Sequence, residues 1–144
     1  VKGLLAEARE LGRIVAGGEV PEGGGYYIQP TIVAADQDDD MRLVNEEQFG
    51  PILPVLRYGE LDDAIRRANA SNYGLGASVW SSDLKRAQEV AAQLVAGTVW
   101  INQHIDLGPH IPQAGAKHSG FGVELGEEGL HEFTQVQVIN ISKK

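Results

Sequence analysis

Cysteine is absent from all 144 residues. That one absence removes disulfides, thiolate metal sites and cysteine nucleophiles together, although it does not decide the compartment. Long apolar runs are absent as well: Gly, Pro or a charge interrupts each hydrophobic stretch well short of the roughly 18 residues that suggest a membrane span. Basic charge is scarce, with 12 Lys and Arg against 20 Asp and Glu and a formal net charge of −8. This balance disfavours a function built on phosphate-backbone contacts, which need clustered cations. The segment after Val1-Lys2-Gly3-Leu4 is amphipathic rather than uniformly apolar, unlike a signal peptide. No internal repeat or low-complexity tract occurs. What remains, 42% hydrophobic and 22% charged residues, is the composition of one soluble domain able to bury a core.

Hydrophobic spacing predicts the elements. Val1, Leu4, Leu5, Ala8 and Leu11 share one helical face, with Gly12 placed as a C-cap. Arg13 to Ala16 reads as a short strand closed by Gly17-Gly18, and Pro21 to Gly25 as turn material. Tyr26 to Val33 reads as extended, with Pro30 favouring an edge or a strand end. The acidic stretch Asp36, Asp38, Asp39, Asp40 lacks the spacing and the late Glu of a calcium loop and reads as solvated. Ile52 to Leu56 reads as a buried strand, and Leu61, Ala64, Ile65 and Ala68 mark a second helix ending near Asn72-Tyr73-Gly74. Ala77 to Trp80 is strand-like. Ser81-Ser82-Asp83 caps a third helix whose buried face is Leu84, Ala87, Val90, Ala91 and Leu94, with Gly97 ending it. Thr98 to Ile101 is a further strand, so the order strand, helix, strand, helix, strand predicts an α/β fold with largely parallel pairing and crossover helices. Gly108 to Gly126, crowded with glycine and carrying Pro109 and Pro112, reads as a long functional or partner-bound loop. A short helix from about Glu127 to Phe133 and a closing strand through Val136, Val138 and Ile141 complete the chain.

Several residue groups invite chemistry. Glu46-Glu47 beside Phe49-Gly50-Pro51 sets two carboxylates next to an aromatic and a tight turn; such a pair can anchor sugar hydroxyls, but spacing alone favours exposed acids in a loop. Gly120-Phe121-Gly122 is not a dinucleotide fingerprint, because no strand ends just before it. His104, His110, His118 and His131 show no i, i+4 pair and have no thiols to complete a zinc site, so no metal site is expected; His104 and His110 read as loop residues near the substrate. Trp80 and Trp100 lie in expected strands and read as core. The triplets Asn69-Ala70-Ser71 and Asn140-Ile141-Ser142 match the glycosylation pattern and read as structural.

Pro30-Thr31-Ile32, Met41, Glu46 to Pro51, Asn72 to Leu75, Gly97 to Asn102, and then Lys117, Ser119, Gly120, Gly122, Glu124 and Gly126 occur in one order across nearly the whole chain. In that order and spacing the chain resembles the C-terminal part of an NAD(P)-dependent aldehyde dehydrogenase. The resemblance implies that Glu47 binds the nicotinamide-side ribose hydroxyls and that Phe49 lies near the nicotinamide ring, while Glu46 is structural. Two positions depart from the family: Pro112-Gln113-Ala114-Gly115 replaces Pro-Phe-Gly-Gly, and Leu107 replaces a frequent aromatic. In the family both lie near the aldehyde entrance. Gln113 there could favour a more polar aldehyde, with plain loop-surface placement at equal odds.

The resemblance further implies a thiolate attacking the aldehyde, hydride transfer to NAD or NADP, and thioester hydrolysis. In the family the nucleophile, the oxyanion donor, the base and the cofactor domain all precede the matched region. The expectation is a C-terminal fragment, inactive alone, with residues 1–134 from the catalytic domain and 135–144 an oligomerisation strand. A homodimer or homotetramer, a small-molecule aldehyde substrate, a cytoplasmic location, and no nucleic-acid or membrane partner complete it. NAD cannot be told from NADP, because the residues reading the 2′ position lie in the cofactor domain. Two other readings stand: a semialdehyde dehydrogenase of different specificity, and a non-catalytic assembly module on the same scaffold.

Overall fold

The structure is a computed structural model describing residues 1–35 and 40–143. Of the acidic stretch, Asp36, Asp38 and Asp39 lie outside the described residues, and Asp40 is exposed in a turn. The chain divides into two compact units, Val1–Leu61 and Asp62–Lys144.

In the first unit, helix α1 (Lys2–Leu11) buries Leu4, Leu5 and Ala8 and leaves Leu11 exposed. Gly12 caps it in extended rather than left-handed backbone, donating its N–H to the Ala8 carbonyl. Close approach is the reason for glycine there, since a Cβ would stand 2.8 Å from the Val33 side chain. Strand β1 (Arg13–Ala16) pairs antiparallel with β2 (Thr31–Ala34), which pairs in parallel with β3 (Ile52–Val55). Helix α2 (Arg42–Asn45) lies in the connection between β2 and β3. Leu4, Leu5, Ala8, Val33, Ala35, Met41, Leu43 and Ile52 form the core. Thr31, polar and buried in β2, is satisfied: its hydroxyl donates to the Gln29 carbonyl at 2.7 Å and accepts from the Gly18 N–H at 2.9 Å.

Two expectations for this unit are corrected. The extended run from Tyr26 narrows to a strand beginning at Thr31, with Tyr26 and Tyr27 exposed. Pro30 offers no N–H, and opposite it β1 has already ended at Ala16, where Gly17, with a φ of 73°, turns the chain away. The strand at Ile52 is half-buried: as an outer strand it buries Ile52 and exposes Leu53 and Val55.

The second unit holds all but the first residue of α3 (Leu61–Ala70), then β4 (Tyr73–Gly74), β5 (Gly76–Val79), α4 (Leu84–Ala91) and β6 (Thr98–Ile101). β5 and β6 pair in parallel with α4 as the crossover, the predicted α/β arrangement, whereas β3 pairs with β2 and not with β5. Asp83 caps α4, accepting from the Arg86 N–H at 3.0 Å. On the face assigned to α4, Ala87 is buried, but Leu84 is exposed and Leu94 lies past the helix end. Trp100 is core, as its strand position requires; Trp80 is not, because β5 stops at Val79 and leaves the ring 66% exposed.

The long loop contains β7 (Gln113–Ala114), β8 (Ala116–Lys117) and β9 (Val123–Glu124). β4 pairs with β8 and β7 with β9, both antiparallel. Glycine density hides these pairings from sequence patterning, yet Gly120 and Gly122, with φ of 111° and 90°, supply the reversal between β8 and β9. Helix α5 (Gly126–His131) follows. The expected closing strand does not form: residues 134–143 pair with no described strand, and Val136, Val138, Ile139 and Ile141 are exposed. No helix among the described residues is long and apolar enough to cross a membrane.

Candidate cofactor and aldehyde-entrance site

Glu47 and Phe49 lie in the first unit, between α2 and β3. Arg42 anchors the start of this segment, donating from Nε to Glu46 Oε1 at 2.7 Å and from Nη2 to Oε2 at 2.9 Å. Its backbone N–H reaches Glu7 of α1 at 3.1 Å. The hydrogen bond to Arg42 holds the Glu46 carboxyl below its ordinary range. Glu46 is thus engaged within its own segment. Gln48 turns inward and donates to the Ile52 carbonyl at 2.6 Å, while its buried Oε1 has no partner among the described residues. The Ile52 N–H returns to the Gly50 carbonyl at 2.9 Å, and Pro51 accepts from Thr31 at 2.8 Å.

This bracing leaves Glu47 and Phe49 outward. Glu47 is exposed and makes no hydrogen bond or ion pair among the described residues, and Phe49 is 91% exposed. An unpartnered carboxylate offers two acceptor oxygens to neighbouring hydroxyls, and a bare phenyl ring offers a flat apolar face. A carboxylate and a flat ring left open in this way have the chemistry to receive hydroxyls and a planar ring. Glu46 and Glu47 do not act as a pair: Arg42 claims one, and the other is open.

The other expected residues belong to the second unit. Gln113 on β7 faces Glu124 on β9 and lines an open hollow of about 370 Å³ with Leu75, Phe121, Val123 and Phe133. Leu107 does not line that hollow; the chain just before it is held by the Trp100 indole N–H on the Asp106 carbonyl at 3.0 Å. His104 stacks edge-on to Trp100 with ring centroids 5.5 Å apart. Among the described residues, no three His, Asp or Glu side chains gather as a metal site.

Sequence reasoning missed Gln48, whose amide carries no motif of its own. It also gave Asn69 only a glycosylation triplet, whereas that side chain grips the chain after α4, donating to the Gln93 carbonyl and accepting from the Val95 N–H, both at 2.8 Å.

Two solved structures with a similar backbone are aldehyde-oxidising enzymes by name. A lactaldehyde dehydrogenase superposes with a TM-score of 0.91 at 37% identity, covering 99% of this chain and 30% of its own. A Mycobacterium tuberculosis aldehyde dehydrogenase complexed with NAD+ gives 0.86 at 42% identity, over 93% and 28%. The aldehyde dehydrogenase family model matches residues 1–139, and the chain belongs to that family. It is similar, at 48% identity over 126 residues, to the NADP(+) succinate-semialdehyde dehydrogenase of Deinococcus radiodurans, and at 44% over 144 residues to cytosolic aldehyde dehydrogenase 2 of Macroscelides proboscideus. The chain spans 26% and 60% of the lengths of those two relatives.

Proposed function

We propose that this chain is the part of an aldehyde dehydrogenase that holds the nicotinamide-side ribose and borders the aldehyde entrance. The observation that carries the reading is the exposed Glu47 carboxylate, which has no partner among the described residues, two positions before the exposed Phe49 ring. Bound NAD or NADP would supply the hydride acceptor. Glu47 would take the ribose hydroxyls, and Phe49 would limit how far the ring can stray from a near-attack position. Gln113 and Leu107 stand at the entrance, where an amide in place of an aromatic favours a polar aldehyde; the semialdehyde relative supports that direction. The attacking thiolate comes from outside these residues, because the chain has no cysteine. Residues 1–134 act as catalytic-domain structure and 135–144 as an assembly segment, in a cytoplasmic enzyme.

In the dehydrogenase carrying this chain, Glu47→Gln keeps the shape and removes the charge-assisted acceptor, so cofactor affinity or the hydride-transfer rate is expected to fall roughly tenfold. Single-turnover kinetics and cofactor titration check it. If both stay at the parent values, Glu47 leaves the site.

A second reading rests on the tail. Val136, Val138, Ile139 and Ile141 expose apolar side chains on a β-prone segment with no strand partner among the described residues. Such a segment recruits another sheet edge, here in a second copy, giving a homodimer or homotetramer. Deleting residues 135–144 is expected to lower the mass measured by light scattering; an unchanged mass and stability would remove the assembly role.

A further inference from the structure

We propose that Lys117 is the positioning residue for the entrance strand β7, a role that rests on the placement of Gln113 at the aldehyde entrance. Lys117 holds a left-handed backbone, φ 56°, which costs a side-chain-bearing residue free energy and persists only where its surroundings enforce it. Its ammonium donates to the carbonyls of Asn69 and Ser71, each at 2.9 Å, at the end of α3. Two charge-assisted hydrogen bonds to fixed carbonyls offset that backbone cost and pin β8.

The same anchor reaches β7 by a second route. The Asn69 side chain holds Gln93 and Val95, two residues before Gly97. Gly97 in turn lies so close to Ala114 that a Cβ on it would be 1.7 Å from the Ala114 carbonyl oxygen. β7 is therefore trapped between the loop that Asn69 grips and the β8 end that Lys117 ties down. Gly115, the one residue linking β7 to β8, has no room to take up slack: its Cβ would stand 2.8 Å from the Ser119 carbonyl. Losing the ammonium leaves β8 held on that side only by its two-residue pairing with β4, and Gln113 gains freedom with it.

Two measurements test the clamp. In the 144-residue chain, Lys117→Gly removes the ammonium while glycine accepts φ 56° without strain. Hydrogen exchange at the Gln113 and Ala114 amides is expected to speed up roughly tenfold, with β5 and β6 unchanged. In the dehydrogenase carrying the chain, Lys117→Gly and Lys117→Met are expected to raise the aldehyde KM about tenfold or more, with the cofactor KM unchanged and Lys117→Arg recovering most of the loss. Should the Met variant fail to fold, the Gly variant decides. A lower melting temperature with unchanged aldehyde KM and unchanged exchange at Gln113 makes Lys117 merely structural and overturns the inference. Gln113→Ala, run in parallel, separates the two ideas. If Gln113→Ala shifts the aldehyde KM and the Lys117 variants do not, the clamp is wrong; if Gln113→Ala leaves it unchanged, the entrance placement itself is wrong.

Discussion

Purified alone, the 144-residue chain is expected to produce no NADH or NADPH from any aldehyde, at a rate at least about a millionfold below that of a complete dehydrogenase. Thioester chemistry needs a thiolate, and none of the 144 residues is cysteine. Ser and Lys remain, but the described structure aims neither into the hollow beside Gln113. A cofactor held by Glu47 and Phe49 would thus find no covalent adduct from which to take hydride. The assay is absorbance at the reduced-nicotinamide band with several aldehydes and both cofactors, on protein cleared of host dehydrogenases. Turnover that follows the chain through successive columns and is lost on Glu47→Gln would sink this expectation and require a non-thiol nucleophile. Reading the gene upstream of Val1 tests the same point from the other side, since a cysteine-bearing segment and a cofactor domain are expected there.

Gly97→Ala is expected to destabilise the second unit by about 3 kcal/mol or more, beyond the usual range for overpacking because the obstacle is backbone. The added methyl would stand 1.7 Å from the Ala114 carbonyl oxygen and 2.5 Å from its carbon, far inside contact distance. Relief demands that one of two tethered segments shift. On one side Gly97 donates to the Gly74 carbonyl at 2.9 Å, and Val95 is held by Asn69; on the other, β7 is paired with β9. Gly59→Ala is the control, with nothing within 4 Å of its added Cβ and a gain of about 0.4–1 kcal/mol expected from the stiffer unfolded chain. Denaturant unfolding of both variants checks the contrast. A Gly97→Ala midpoint equal to the parent would mean that β7 does not rest on Gly97, which would also cut the second route of the Lys117 clamp.

Much of the architecture was legible because period and capping act over a few residues. α1 announces itself by Leu4, Leu5 and Ala8, α4 by the Asp83 cap, and β6 by Thr98 to Ile101; all three begin where expected, though α4 stops at Ala91, short of Leu94 and Gly97. The failures share a cause. Tyr26-Tyr27 has strand composition, but pairing is a property of two segments, and the partner strand ends at Ala16. Trp80 looks like core by type, yet burial depends on what covers a residue, and among the described residues most of Trp80 is left uncovered. β7, β8 and β9 are two residues long, too short for any period, and exist only because distant segments meet them.

The same division holds for the candidate site. By itself the sequence determined the family resemblance, the missing nucleophile and the identities of Glu47, Phe49, Leu107 and Gln113, because residue type and spacing are written in the chain. Spacing alone could not separate Glu46 from Glu47; the resemblance did. Tertiary structure added a physical difference, by setting Arg42 against Glu46 and leaving Glu47 without a partner among the described residues, and it decided that Gln113 rather than Leu107 lines the hollow. It alone joined Lys117 to the carbonyls of Asn69 and Ser71, more than forty residues away in the chain. Hydrogen bonds and steric contact fall off within a few ångströms, so which groups they couple is set by the folded path of the chain and not by separation along it.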